Sequence, residues 1–276
     1  MVASLVDSTV SARALGIARM LLGAVALLKL CLFLPDLIRL AGEPVPLPVV
    51  PLPAVPWLLV ASVWAVAALL VVFGIAVHFS GGLLALCGWY CLLLDERTYS
   101  NHLLLITLLV TFLAASGGGR VLGRAGRVPG AAVLLMLTQL SAMYLFAGLA
   151  KANGSFLIGE VLLLQIGVDS AILPLPLDLL PLPVLVAIAL GAVVFETALA
   201  VALWFAPTRP YAFAGGAALH TVFILTMRSP LELLCFGVAA VAVYPLFASW
   251  RPGGSDVRGS AAPASSGPSP MASDLH

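Results

Sequence analysis

Repeated apolar runs of about 20 residues, the length needed to cross a bilayer as helix, constrain this chain more than any other feature. Eight runs qualify as helices: 12–34, 56–79, 81–96, 100–117, 130–150, 181–206, 210–228 and 230–249. The third and fourth are short and meet at the polar turn Asp95-Glu96-Arg97. The composition leaves no soluble alternative. Only 9% of residues are charged and 62% are hydrophobic, with mean hydropathy +1.14, against about 25% charged in a soluble domain. The expectation is an all-α polytopic transmembrane bundle with lipid as its solvent. A further apolar stretch, near 155–168, is about 14 residues long, too short to span, and reads as re-entrant or interfacial.

Two connectors, Gly42–Pro56 and Leu173–Pro183, are rich in proline, which blocks helix continuation and favours extended backbone. Each precedes a long apolar helix, a short turn and a Gly-Gly pair, Gly81-Gly82 and Gly215-Gly216. That parallel suggests a four-plus-four repeat, though leucine and proline bias produces the same pattern. The first apolar run holds Arg19 and Lys29 and reads as a retained helix rather than a cleaved signal. The expected organisation is one transmembrane domain over 1–251 and a disordered cytoplasmic tail over 252–276, too poor in large apolar residues to order itself. Arg13, Arg19, Arg120, Arg124, Arg127, Arg209, Arg251 and Arg258 fall on one side of such a bundle, and Arg39, Arg97, Lys151 and Arg228 on the other. The positive-inside rule then puts both termini of a multi-pass cell-membrane protein in the cytoplasm. A net charge of +1 gives no sign of nucleic acid. The Arg, Ala, Gly and Pro load hints at a bacterial source. Cys31, Cys87, Cys91 and Cys235 all sit in apolar runs and read as small helix fillers, with no disulfide framework and no zinc or other metal signature.

Ionisable groups cost a few kcal/mol, roughly 2.5–3.5, inside a bilayer, so those present are candidates for function. Ser141, Tyr144, Gly148 and Lys151 recur at spacings of three and four and share one helix face. On that face Tyr144 is placed to hydrogen-bond the amine, and Gly148 to leave room for a substrate. An amine in an apolar cleft is more readily held neutral and available as a base; a lysine snorkelling to the interface is the plainer reading. Glu196 and His220 lie about ten residues either side of the turn Pro207-Thr208-Arg209-Pro210. At about 1.5 Å per residue they reach similar depth, so a Glu196–His220 contact is expected, as part of a site or as an interhelical tie. Asp95, Tyr99, Asn101 and His102 cluster at a helix mouth and read equally as substrate-binding groups or as caps. Lys29 is expected to pair with Asp36, and Glu160 to be solvated or capping. The chain has no Gly-x-Ser-x-Gly, P-loop, His-Glu-x-x-His or Gly-x-Gly-x-x-Gly motif.

At these residues the chain resembles the HTTM (horizontally transferred transmembrane) domain family, whose best-known member is vitamin K-dependent γ-glutamyl carboxylase. The run Tyr144 to Lys151 and on to Gly159 is similar to the family's Tyr-x-x-Ala-Gly-x-x-Lys followed by Trp and Gly. Arg19-Met-Leu-Leu-Gly23 resembles its first-helix Arg-x-x-x-Gly, Asn101-His102 its Asn-His, and Glu196, Thr208-Arg209-Pro210 and His220 its Glu, Thr-Arg-Pro, His series. The likeness covers about 15–250. Phe156 stands where the family often has Trp, and Ala150 where animal carboxylases have a second lysine. The resemblance implies that Lys151 deprotonates a reduced quinone of the vitamin K type, whose oxygenated form removes a glutamate γ-proton before carbon dioxide adds. His220, Glu196 and His102 would line or support that cavity, and a secreted or periplasmic peptide would be the substrate. Relatives of sporulation-delaying protein B point instead to a non-catalytic maturation, export or immunity factor for a secreted peptide. A proton-coupled transporter with Glu196 and His220 as its relay is a third reading.

Overall fold

The computed structural model describes residues 7–40, 52, 55–117, 126–166, 172–173, 175 and 177–253. The first proline-rich connector (apart from its end), Arg120, Arg124, Arg258 and the tail from 254 lie outside these residues.

Among the described residues the chain is an all-helical bundle with one small strand pair. A short strand β1 (Thr9–Ser11) leads into α1 (Ala12–Leu40), followed by α2 (Trp57–Phe73), α3 (Val77–Leu94) and α4 (Asn101–Ser116). Strand β2 (Arg127–Pro129) precedes α5 (Ala131–Lys151), two short helices α6 (Gly154–Leu157) and α7 (Glu160–Gln165), then α8 (Leu182–Ala202), α9 (Arg209–Thr226) and α10 (Pro230–Ser249). The eight longer helices correspond to the eight expected spans. Five of them, α1, α3, α5, α8 and α10, are long and apolar enough to cross a membrane, while α2 and α4 are shorter apolar helices. The described part of the 155–168 stretch, to Ile166, forms α6 and α7, each too short to span.

Successive helices run up and down. β1 pairs antiparallel with β2, and Thr9 also pairs with Arg251, which gathers the starts of α1 and α5 and the end of α10 at one end of the bundle. Arg127 ties this end, donating to the Thr9 hydroxyl at 2.7 Å and the Ser249 carbonyl at 2.9 Å. The opposite end carries Arg97, Lys151, Arg228 and the α6–α7 segment. α1 and α10 form the centre of the bundle. Leu15, Leu22 and Ala26 of α1 and Ala239, Val243 and Phe247 of α10 are buried. Leu58, Phe73, Phe79, Leu86, Phe146 and Val201 face outward and exposed, as lipid requires.

The break between α2 and α3 falls at Gly74–Ala76, not beside Gly81-Gly82, where the apolar runs 56–79 and 81–96 meet. Gly74 closes α2 in the left-handed conformation (φ 77°), which glycine adopts without strain. The buried Arg19 of α1 crosses to this point and donates to the carbonyls of Val71, which also accepts from the Gly74 backbone at 3.1 Å, and Val72, in the last turn where a helix runs short of donors. Gly81 instead lies inside α3, where a Cβ would come within 3.1 Å of Ala114 of α4. Gly88, two turns on, faces Thr107 of α4 so closely that a Cβ would overlap its side chain. Small residues let helix backbones approach in lipid, where packing rather than water release drives association. Gly88→Val is therefore expected to push α3 from α4 and lower stability by about 1–3 kcal/mol, read as an earlier thermal unfolding transition in detergent.

Helix α1 continues to Leu40 through Pro35, past the boundary expected at 34.

Candidate functional site

At the end of the bundle away from the strand pair, α8 and α9 do not pack along their lengths. α8 lies against α5, and α9 against α10. The cause is local to α5. Gly148 has no side chain, and a Cβ there would meet the Val193 carbonyl of α8 at 3.1 Å. Gly148 thus serves close helix packing and does not leave space for a substrate, as its place on the helix face had suggested. Drawing α8 onto α5 leaves a gap on the α9 side.

That gap is a cavity of about 510 Å³ lined by residues of α4 to α10. Phe156, Leu162 and Ile166 from the short helices form its cover at the bundle end. This cover is fastened by a backbone bond from Arg228 to Gln165 at 3.1 Å and by the Ile166–Met227 bridge. Ile188 and Phe195 of α8 and Val222 of α9 line the cavity while remaining 40%, 39% and 52% exposed, so the gap opens sideways toward lipid. Phe195 also reaches Gly215 of α9, where a Cβ would meet its ring at 2.7 Å, and closes the gap below.

Lys151 and Glu196 meet in this cavity. The Lys151 Nζ donates to Glu196 Oε2 at 2.6 Å and lies 3.4 Å from the Ala147 carbonyl. The Glu196 side chain is 4% exposed and that of Lys151 26%, so the carboxylate is enclosed and the amine sits at the mouth. The expected Glu196–His220 contact is not made, because α8 turns its carboxylate toward α5 rather than α9. Tyr144 likewise does not bond the Lys151 amine. Its hydroxyl is 2.8 Å from His220 Nε2 and 2.8 Å from the Tyr244 hydroxyl, a chain of three buried polar groups in which each has a partner, as buried polar groups require. Gly216 makes room for the Tyr244 hydroxyl, which lies where a Cβ would stand. Ser141, on the same face of α5, accepts from Trp204 Nε1 at 2.7 Å and is remote from the amine.

The cluster at the start of α4 divides. Asn101 and His102 line the cavity. Asp95 and Tyr99 do not. Asp95 is fully buried, accepts from the Arg97 backbone at 2.8 Å and pairs with the Arg97 guanidinium at 2.6 Å. Tyr99 is exposed and donates to Asn101 Oδ1 at 3.1 Å. Ser100 caps α4 through Leu103 at 3.1 Å. Of the residues expected in a site, Lys151, Glu196, His220, Tyr144, Asn101 and His102 therefore converge on one cavity.

Lys29 does not pair with Asp36, which binds Arg39 at 2.8 Å. Lys29 is buried and reaches Glu232 of α10, at 2.6 and 2.9 Å to its two oxygens. Glu232 in turn lies 3.4 Å from His102 Nδ1. Phe236, one turn further along α10, packs edge-on to both His102 and His220, at 5.3 and 5.4 Å between ring centres. Glu232 and Tyr244 are members of the polar framework that spacing alone does not disclose. An acidic residue in the first turn of a helix has an ordinary role there, and neither partner of Glu232 is near it in sequence.

A reduced quinone fits this arrangement on chemical grounds. The volume lies within the roughly 300–1,000 Å³ of small-molecule sites, the walls are mainly apolar, and a few polar groups converge on one end. Lys151, His220 and Asn101 would hold the oxygenated ring, with the side opening left for an apolar tail.

Comparison with curated proteins and with solved structures returned no match. Comparison with family models returned the HTTM domain over residues 8–250, nearly the whole described bundle. The chain is an integral membrane protein and belongs to the HTTM family.

Proposed function

We propose that the protein is a membrane enzyme in which the Lys151–Glu196 pair takes a proton from a lipid-soluble reduced quinone, in a carboxylase-like modification of an extracytoplasmic peptide or small substrate. The observation that carries this reading is the 2.6 Å contact between Lys151 and the enclosed Glu196 inside a cavity open toward lipid. An ion pair removed from water is costly unless well paired, and one placed at a ligand cavity rather than in the packed centre has a chemical use.

The quinol, when bound, supplies reducing equivalents and a weakly acidic hydroxyl. The pair acts as one base. Its carboxylate would accept the proton while the ammonium keeps its charge at the mouth. Net charge in the cavity does not change, and the ammonium sits where negative charge develops. Assigning the accepted proton to one member of so close a pair is a choice of microstate, since coupled groups titrate together. The His220–Tyr144–Tyr244 chain fixes the opposite wall, and the α6–α7 cover limits water. This end of the bundle would face outward, in line with the arginines gathered at the other end near Thr9 and Arg251.

In the proton-relay transporter reading, Glu196 and His220 would pass a proton without being in direct contact with each other. A peptide-binding factor acting through the first proline-rich connector involves residues outside those described.

Mass spectrometry of the organic extract of purified protein tests the reading. A prenylated quinone or quinol is expected in the wild type and depleted at least tenfold in His220→Leu, whose side chain lines the ring end. An extract holding phospholipid alone from both proteins would reject it.

A further inference from the structure

A second charged cluster borders the cavity and has no part in the scheme above. Lys29 on α1, Glu232 on α10 and His102 on α4 come from three helices and meet beside Phe236. Lys29 Nζ holds both oxygens of Glu232, at 2.6 and 2.9 Å, and the Oε2 oxygen lies 3.4 Å from His102 Nδ1. Lys29 is 4% exposed, so its charge is carried inside the bundle at a cost that this carboxylate offsets, with the Phe33 ring 5.9 Å away beneath it. His102 lines the cavity, and its Nε2 has no hydrogen-bond partner among the described residues.

From this geometry we infer that Glu232 is a positioning residue, which holds His102 in the Nδ1–H tautomer and leaves Nε2 as a proton acceptor facing the cavity, while Lys29 keeps Glu232 ionised and in place. The reason is the arrangement of donors. A carboxylate held by a lysine can only accept, and its charge 3.4 Å from Nδ1 favours the hydrogen on that ring nitrogen as an electrostatic contact rather than a closed hydrogen bond, so the other nitrogen of a neutral imidazole is then bare. Phe236, packed edge-on to the His102 ring, limits rotation about this contact. Tautomer control by a carboxylate behind a histidine is the same physical device that orients metal-binding and general-base imidazoles elsewhere. The cavity then has two acceptors on different walls, the Lys151–Glu196 pair between α5 and α8 and His102 on α4. Two substrates, or two protons of one substrate, can be served without either group changing position. The inference rests on the enzymatic reading only for what His102 would serve; the tautomer itself does not depend on any reaction.

The test is nitrogen-15 NMR of protein labelled on histidine and held in lipid nanodiscs at pH 8, with His102 assigned by loss of its signals in His102→Gln. The chain has four histidines, so the spectrum is simple. The wild type is expected to show His102 protonated on Nδ1 alone. Glu232→Gln retains an acceptor oxygen and is expected to keep that form. Glu232→Leu removes the acceptor and is expected to move most of the population to Nε2–H, the form favoured by histidine in water. Because Glu232→Leu leaves Lys29 buried and unpaired, Lys29→Met/Glu232→Leu is measured beside it, with the same shift expected. A wild-type His102 carrying hydrogen on Nε2, alone or on both nitrogens, overturns the inference. So does an Nδ1–H form that survives in both leucine variants. Loss of quinone from the extract with this tautomer pattern intact would reject the enzymatic reading and leave the positioning role standing.

Discussion

Lys151→Met is expected to lower turnover by a factor on the order of 10²–10⁴, the range over which a positioned acid–base group contributes, and to destabilise the fold at the same time. Removing one member of a buried ion pair costs roughly 3–5 kcal/mol, because the remaining charge has no partner. Here the Lys151 side chain is 26% exposed, so solvent screens part of the interaction and a loss of about 2 kcal/mol is expected. Lys151→Met/Glu196→Leu separates the two effects. It replaces the pair by apolar side chains of similar volume, a change expected to leave stability within about 1 kcal/mol of the wild type while activity stays lost. Thermal unfolding in detergent, run beside the turnover assay, reads both quantities. Recovery of stability without recovery of activity places the pair in the chemistry and not only in the packing.

The second large effect is expected at Gly216. Tyr244 puts its hydroxyl where a side chain at this position would stand, and the Tyr144 hydroxyl lies 3.6 Å from the same point. Gly216→Val forces Tyr244 away, breaks its 2.8 Å bond to Tyr144 and disturbs the 2.8 Å bond from Tyr144 to His220. A loss of about 3 kcal/mol is expected, the upper part of the range for overpacking a tight interior. Tyr144→Phe removes one hydroxyl and no volume, and should cost only about 1–2 kcal/mol. Equal losses from the two variants in thermal unfolding would show that hydrogen bonding, not steric fit, sets the effect. Because His220 lines the cavity, Gly216→Val is also expected to weaken ligand retention, which Gly88→Val, at the distant α3–α4 contact, should not do.

The helices were readable because apolar length is a local property. A run such as 181–206 identifies itself whatever it packs against, and the non-spanning 155–168 stretch was equally plain from its shortness. Turn position was less legible. Gly81-Gly82 is the more conspicuous pair, yet α2 closes at Gly74, where an arginine from another helix reaches the terminal carbonyls. The same distinction holds in the site. Lys151, Glu196 and His220 stood out as ionisable residues in apolar surroundings, and the structure brings all three to one cavity. Their pairing was not legible, since it follows from α8 leaning on α5 at Gly148 and away from α9. Lys29 reached past the nearby Asp36 to Glu232, 203 residues on. No spacing rule connects two such positions. Only the neighbouring placement of α1 and α10 in the bundle does.

The central claim is that the Lys151–Glu196 pair is the base for a lipid-soluble quinol. Its most direct measurement is oxidation of a prenylated naphthohydroquinone by the purified protein in nanodiscs supplied with oxygen, bicarbonate and a glutamate-containing peptide, compared between the wild type and Lys151→Met/Glu196→Leu. The account predicts enzyme-dependent oxidation by the wild type that falls at least a hundredfold in the folded double variant. Equal rates in the two proteins, or none above the protein-free nanodiscs in either, would contradict it.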